Sequence, residues 1–157
     1  MISDEQIIQW LAYNEGVRTE PYKCTQGKLT IGIGRNLEDN PLTPEELKQI
    51  GHDPREGITK DQAFYLLRND IKKVKRQLDG ALPWWRDLDG DRPFVLLDMC
   101  FQMGLKSLLG FKNTLHYIAT GYYLKAADNL LKSLYAKQTP KRAERNAQCL
   151  REGKYLI

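Results

Sequence analysis

A carboxyl, a thiol and a hydroxyl stand at short intervals in the stretch NEGVRTEPYKCTQGKLTIGIGRN, residues 14–36. Glu15 is followed after eight residues by Cys24, and Cys24 after five more by Thr30. A carboxylic acid can protonate a leaving oxygen, and a thiolate or hydroxyl can hold or activate a nucleophile, so the trio suits hydrolysis of a bond. Taken singly, the same residues have plainer uses. Glu15 serves as a solvated acid at a helix end, or as an acid whose pKa rises where burial in a cleft disfavours its charge. Cys24 lies in a polar run between Lys23 and Thr25-Gln26, where a cation favours thiolate, but no histidine is near in sequence to complete a Cys–His pair. Thr30 alone is a good strand residue.

Flanking patterns predict the elements that hold these groups. Ser3 with Gln6 forms a capping-box pattern, and Ile7, Ile8, Leu11 and Ala12 follow at helical period, predicting a helix over 3–14. Pro21 opposes its continuation, and 22–35 alternates as two short strands joined at Gln26–Gly27. Thr43-Pro44-Glu45-Glu46 and Thr59-Lys60-Asp61-Gln62 each open a further helix. The second carries Ala63, Leu66, Leu67, Ile71, Val74 and Leu78 on one stripe and should stop at Asp79-Gly80. At ~1.5 Å per residue it spans roughly 28 Å, enough to bridge two lobes. After Pro83 the pattern is helical over 93–103, 115–119 and 124–134, with a last helix from Thr139-Pro140. The predicted fold is α+β, a single domain over 1–157. A small N-terminal lobe with a β-hairpin (about 15–60) is joined by the helix 60–79 to a larger all-helical lobe (80–157), on which helix 3–14 packs.

The chain of 157 residues is 41% hydrophobic and 28% charged, enough for a sizeable core, and its net charge of +4 favours an anionic polymer. That charge does not choose among nucleic acid, membrane surface and cell-wall glycan. The cysteines at 24, 100 and 149 and the histidines at 52 and 116 lack zinc-ligand spacing, so no metal or cofactor is expected. Asp87-Leu88-Asp89-Gly90-Asp91 has its glycine too early for a calcium loop and Asp98 at the closing position, so it reads as a turn. The basic cluster Lys137, Lys141, Arg142 and Arg145 lacks interleaved stacking aromatics, which argues against nucleic acid. Neither an export signal nor a run near ~18 apolar residues is evident, which places the chain in the cytoplasm after synthesis.

Taken together, Glu15-x8-Cys24-x5-Thr30 running into TIGIG at 30–34 resembles the catalytic signature of phage lysozymes of the T-even type, glycoside hydrolase family 24. That pattern is Glu, eight residues, Asp or Cys, five residues, Thr. The resemblance continues in order through GITKDQA (57–63), FQMG (101–104), GFKNTL (110–115) and QTPKRAER (138–145). It implies a lysozyme-like fold and a muramidase that hydrolyses the β-1,4 bond between N-acetylmuramic acid and N-acetylglucosamine, the T-even enzyme doing so with inversion.

By this resemblance Glu15 is the general acid, Thr30 holds the water, and Cys24 takes the second catalytic position, where many members have Asp. Arg142 matches the arginine that pairs with the catalytic acid. Asn36, Phe101, Gln102, Thr114, Asn129 and Tyr135 fall at substrate-contact positions, although the T-even enzyme has Leu, Ser and Trp where this chain has Asn36, Thr114 and Tyr135. Asp70 matches an acid that pairs with a hairpin histidine, a position held here by Arg35. The implied setting is a monomeric, cofactor-free endolysin without nucleic-acid partners. It waits in the host cytoplasm until a holin releases it to the periplasm and the peptidoglycan. A lytic transglycosylase would not need Thr30 to hold water, and a non-catalytic peptidoglycan-binding protein would not need the intact trio.

Overall fold

The computed structural model describes residues 2–157, and capping and turn residues account for much of their local order. In chain order the elements are α1 (Asp4–Glu15), β1 (Arg18–Lys23), β2 (Leu29–Gly32), β3 (Arg35–Asn36), α2 (Pro44–Ile50), α3 (Lys60–Ala81), α4 (Arg92–Met103), α5 (Leu105–Leu109), α6 (Lys112–Ala119), α7 (Tyr123–Leu131), α8 (Leu134–Gln138) and α9 (Pro140–Glu152). This is the expected α+β organisation. By Cα proximity the chain divides within α3: Glu5–Lys72 make one unit, and Lys73–Ile157 with the segment up to Asp4 make the other.

In the first unit the strands form one antiparallel sheet of order β1-β2-β3. The ladder pairs Arg18 with Gly32, Tyr22 with Thr30 and Lys23 with Leu29, with an irregularity between Arg18 and Tyr22. Pro21 falls inside that irregularity, where its missing N–H breaks no regular ladder, so β1 begins earlier than the predicted hairpin. A third strand, β3, pairs Asn36 with Thr30 and Arg35 with Ile31. Two residues are too few to display an alternating pattern, so it escapes prediction.

The capping box expected at Thr59 forms, and the N-cap expected at Thr43 makes one as well. The Thr43 hydroxyl accepts from Glu46 N at 3.1 Å while the Glu46 carboxylate accepts from Thr43 N at 2.9 Å. Thr59 and Gln62 exchange the same bonds at the start of α3. α3 does not stop at Asp79-Gly80. Leu82 N still donates to Leu78 O at 2.8 Å, and the following Pro83, which disfavours helical geometry at the residue before it, marks the end.

In the second unit α4 is buried continuously from Pro93 to Cys100, a core of Phe94, Leu96, Leu97 and Met99 with Leu108 and Ile118 from α5 and α6. The helix predicted over 124–134 ends at Leu131, as α7, and a second helix follows from Leu134. The Ser133 hydroxyl accepts from Ala136 N at 3.3 Å and so caps a new start at α8. The Asp87–Asp91 run is a turn with a structural use: Asp91 N donates to Gly153 O at 2.8 Å, and Asp91 Oδ2 accepts from Tyr155 N at 2.9 Å. All three cysteines are free; burial pushes the Cys100 and Cys149 thiols up to about 11 and about 12.

Candidate active site

Glu15 is the last residue of α1, and Gly16, at φ +77, turns the chain away after donating to Ala12 O at 2.8 Å. Its side chain lies along Gly34 in the turn between β2 and β3. A Cβ at Gly34 would come 2.6 Å from Oε1 and 3.1 Å from Cδ of Glu15, and Gly34 also has φ +70. Space and backbone conformation both require glycine there. Tyr22 of β1 senses the same carboxylate: its phenol pKa is raised by burial first and then by the charge of Glu15, with Arg18 opposing. The Arg18 guanidinium carbon sits 4.7 Å from the centroid of the Tyr22 ring.

Cys24 ends the first arm of the hairpin, its N–H donating to Lys28 O at 2.9 Å. Its thiol pKa is held below the ordinary value. Burial acts to raise it, but the backbone N–H groups of Gln26 and Lys28 and the Thr30 hydroxyl outweigh that effect. Thr30 is 3% exposed and its hydroxyl donates to Lys28 O at 3.0 Å. A hydroxyl has a single proton, so donating to a Cys24 thiolate withdraws it from the Lys28 carbonyl. The hairpin therefore brings Cys24 and Thr30 together.

Asn36 is committed locally. Its Oδ1 accepts from Glu38 N at 2.9 Å and Asp39 N at 3.0 Å, while Nδ2 donates to Asp39 Oδ2 at 3.0 Å. This Asx-type turn shapes the loop after β3.

In the second unit the Thr114 hydroxyl, 2% exposed, donates to Asn129 Oδ1 at 2.5 Å. That bond occupies the carbonyl end of the amide, so Asn129 offers N–H donors to the groove it lines. The groove has a volume of about 700 Å³ and is also lined by Phe111, Asn113, Ser133, Lys112 and Lys132. The two lysines were not among the sequence candidates, although they stand two residues before Thr114 and three after Asn129.

Arg142 is 8% exposed; its Nε and Nη2 donate to the fully buried Asp98 carboxylate at 2.6–3.2 Å. Asn146 Nδ2 donates to Asp98 Oδ2 at 3.0 Å and to the Tyr135 hydroxyl at 2.9 Å. Tyr135 is itself buried, edge-on to Phe111, and burial followed by the charge of Asp98 pushes its phenol well above the ordinary value. Asp98 and Asn146, which hold Arg142 and Tyr135, were not among the sequence candidates. The available signal was an acid in the middle of an apolar helix, where an ionised carboxylate needs a partner. Phe101 and Gln102 are half-buried near the end of α4, and Gln102 Oε1 is buried without a hydrogen bond among the described residues.

Among the described residues no group of three or more His, Cys, Asp or Glu is placed to hold a metal ion, and no helix is long and apolar enough to cross a membrane.

Comparison with known proteins gives one consistent answer. The phage lysozyme family model matches residues 12–148. Probable T4-type lysozyme 1 of Dictyostelium discoideum is 30% identical over 160 residues, covering 94% of this chain and 94% of the relative. Probable T4-type lysozyme 2 of the same organism is 31% identical over 148 residues, covering 86% and 87%. The pre-baseplate central spike protein Gp5 of Enterobacteria phage T4 is 28% identical over 159 residues, 94% of this chain against 28% of that protein. The chain belongs to the phage lysozyme family and is, with it, a glycoside hydrolase of the lysozyme type acting on peptidoglycan.

Proposed function

We propose that the bond hydrolysed is the β-1,4 link between N-acetylmuramic acid and N-acetylglucosamine, with Glu15, Cys24 and Thr30 as the catalytic residues. The observation that carries this reading is the hairpin geometry. Backbone N–H groups and the Thr30 hydroxyl hold the Cys24 thiol below its ordinary pKa, and Glu15 rests on the β2–β3 turn of the same sheet.

In this mechanism Glu15 gives its proton to the glycosidic oxygen as the bond from that oxygen to the anomeric carbon breaks, and the bonding pair leaves with the oxygen. A water held by Thr30 attacks the anomeric carbon, and its proton passes to the Cys24 thiolate. The cycle ends with a Glu15 carboxylate and a Cys24 thiol, and exchange with solvent restores both. Arg142, its guanidinium fixed by Asp98, keeps the supporting role that the family resemblance gives it. Asn129 with Thr114, and Gln102 with its buried oxygen, supply polar contacts to the glycan, and the resemblance adds Phe101, Tyr135 and Asn36 as further contact residues. Most of the lysine and arginine residues belong to the second unit, which favours approach to an anionic wall.

The biological role proposed is that of an endolysin, monomeric and held in the host cytoplasm until a holin admits it to the wall. Turbidity clearing of chloroform-treated Gram-negative cells by the parent and by Glu15→Gln tests the reading. The parent should clear them and the folded variant should not; an active Glu15→Gln removes the general-acid role. Mass spectrometry of the released muropeptides should show reducing ends, whereas 1,6-anhydro ends would make the protein a lytic transglycosylase.

A further inference from the structure

Arg35 lies beside Gly34 in the chain, in the interior of the first unit at 3% exposure, and every N–H of its guanidinium has an acceptor. Nη2 and Nη1 grip the two oxygens of Glu46 at 2.7 and 3.0 Å, as a fork. Nη1 also donates to Asp70 Oδ1 at 3.0 Å, Nε to Asn40 O at 2.8 Å and Nη2 to Pro41 O at 3.3 Å. The acceptors are held in turn. Glu46 accepts from Thr43 N at 2.9 Å and Asn69 Nδ2 at 3.0 Å, and Asp70 accepts from Asn40 Nδ2 at 3.3 Å. One side chain thus ties β3 to the loop that follows it, to the first turn of α2 and to the middle of α3.

A buried ion cluster is a poor source of net stability, because desolvation offsets most of the attraction. Its distinctive product is a fixed geometry. Here the fixed object is the start of β3, whose preceding residue, Gly34, is the surface against which the Glu15 side chain lies. Arg35 also faces Ile31 across the ladder while Asn36 faces Thr30, so the same anchor fixes the strand that carries the hydroxyl.

We infer that Arg35, held by Glu46 and Asp70, is a positioning residue for the reaction: it sets the place of Gly34 and, through it, the Glu15 carboxyl. The inference rests on the reading of Glu15 as the acid. Arg35→Lys keeps the charge but has neither the planar fork nor the spread of donors needed to reach all these acceptors.

The experiment compares the parent, Arg35→Lys, Glu46→Gln and Cys149→Ser, the last a destabilising control in a buried apolar site of the second unit. Soluble peptidoglycan fragments serve as substrate, at a temperature where each variant is folded. Two readouts are taken: kcat and KM separately, and the ¹³C carboxyl resonance of Glu15. Arg35→Lys is expected to lower kcat about tenfold, with KM within about twofold, and to move the Glu15 resonance, since small misplacements of a reacting group are costly. Glu46→Gln should shift both in the same direction by less, and it keeps the test intact if Arg35→Lys does not fold. Cys149→Ser should lower the melting temperature alone. Parent kcat and an unmoved resonance in Arg35→Lys and Glu46→Gln overturn the inference. If instead Glu15→Gln proves active, the acid assignment fails, while the Glu15 resonance still reports whether Arg35 positions that carboxyl.

Discussion

The Glu15 side chain lies directly on the α-carbon of Gly34, close enough that a methyl group there would stand 2.6 Å from Oε1. Gly34→Ala therefore has two effects: the carboxyl must move, and a residue with a Cβ must hold φ +70. We expect kcat to fall by at least about tenfold, with a loss of roughly 1–2 kcal/mol in stability. Steady-state kinetics and urea unfolding of the same preparation separate the two. Unchanged kcat in a folded variant would show that the acid does not depend on this contact.

The three thiols should respond very differently to alkylation. Cys24 is held below the ordinary thiol range, whereas burial pushes Cys100 to about 11 and Cys149 to about 12. Iodoacetamide at neutral pH should label Cys24 first, detected by peptide mass spectrometry. The midpoint of its labelling rate against pH should move upward in Thr30→Val, because the hydroxyl that favours thiolate is gone. A midpoint that stays put would separate Thr30 from the thiol.

The catalytic exchange at the same position gives a sharper contrast. Cys24→Asp restores an acceptor that is anionic at neutral pH and should keep a good part of the activity. Cys24→Ser should lose most of it, since its hydroxyl does not ionise there. Wall lysis by Cys24→Ala at the parental rate would remove the thiol from the mechanism.

Acid should weaken the protein partly through Glu46. Burial acts to raise its pKa, but Arg35, Thr43 N–H and Asn69 outweigh it and hold the carboxyl near about 2 against a usual 4.5. A depressed folded-state pKa contributes stability that is present above the unfolded value and is lost as pH falls from 4.5 toward about 2. The full contribution is on the order of 3 kcal/mol. Urea unfolding as a function of pH should show Glu46→Gln less stable than the parent at neutral pH. The two curves should converge across that acid window, and parallel curves would contradict the depressed pKa.

A backbone prediction is independent of catalysis. A Cβ at Gly90 would collide with Gly153 O, and Gly90 has φ +63. Gly90→Ala must break the contact that holds the chain end against the start of α4, and thermal melting should show a loss of more than about 2 kcal/mol.

What could be read from the sequence was what local chemistry decides. Thr43-Pro44-Glu45-Glu46 and Thr59 with Gln62 announced their helices because a cap is made by residues three apart. The spacing from Cys24 to Thr30 became a contact because the turn between β1 and β2 folds one onto the other. The missed features depend on distant partners. Glu46 was legible as a first-turn acid, but its grip on Arg35 is set by where α2 packs. Asp98 looked like a misplaced metal ligand until Arg142 and Asn146, more than forty residues away, supplied its donors. Ser133 fell inside the stretch predicted as one helix over 124–134, and only its bond to Ala136 N reveals a new start.

The pairing of Asp98 with Arg142 has an electrostatic consequence for the interior of the second unit. Either charge buried there alone would carry a large desolvation cost with nothing to offset it. Asp98 contributes a compensating negative charge at hydrogen-bond distance, so the couple is neutral as a whole and its field falls off as that of a dipole. The couple therefore ties α9 to α4 at a fixed point while leaving no net charge in the core between them.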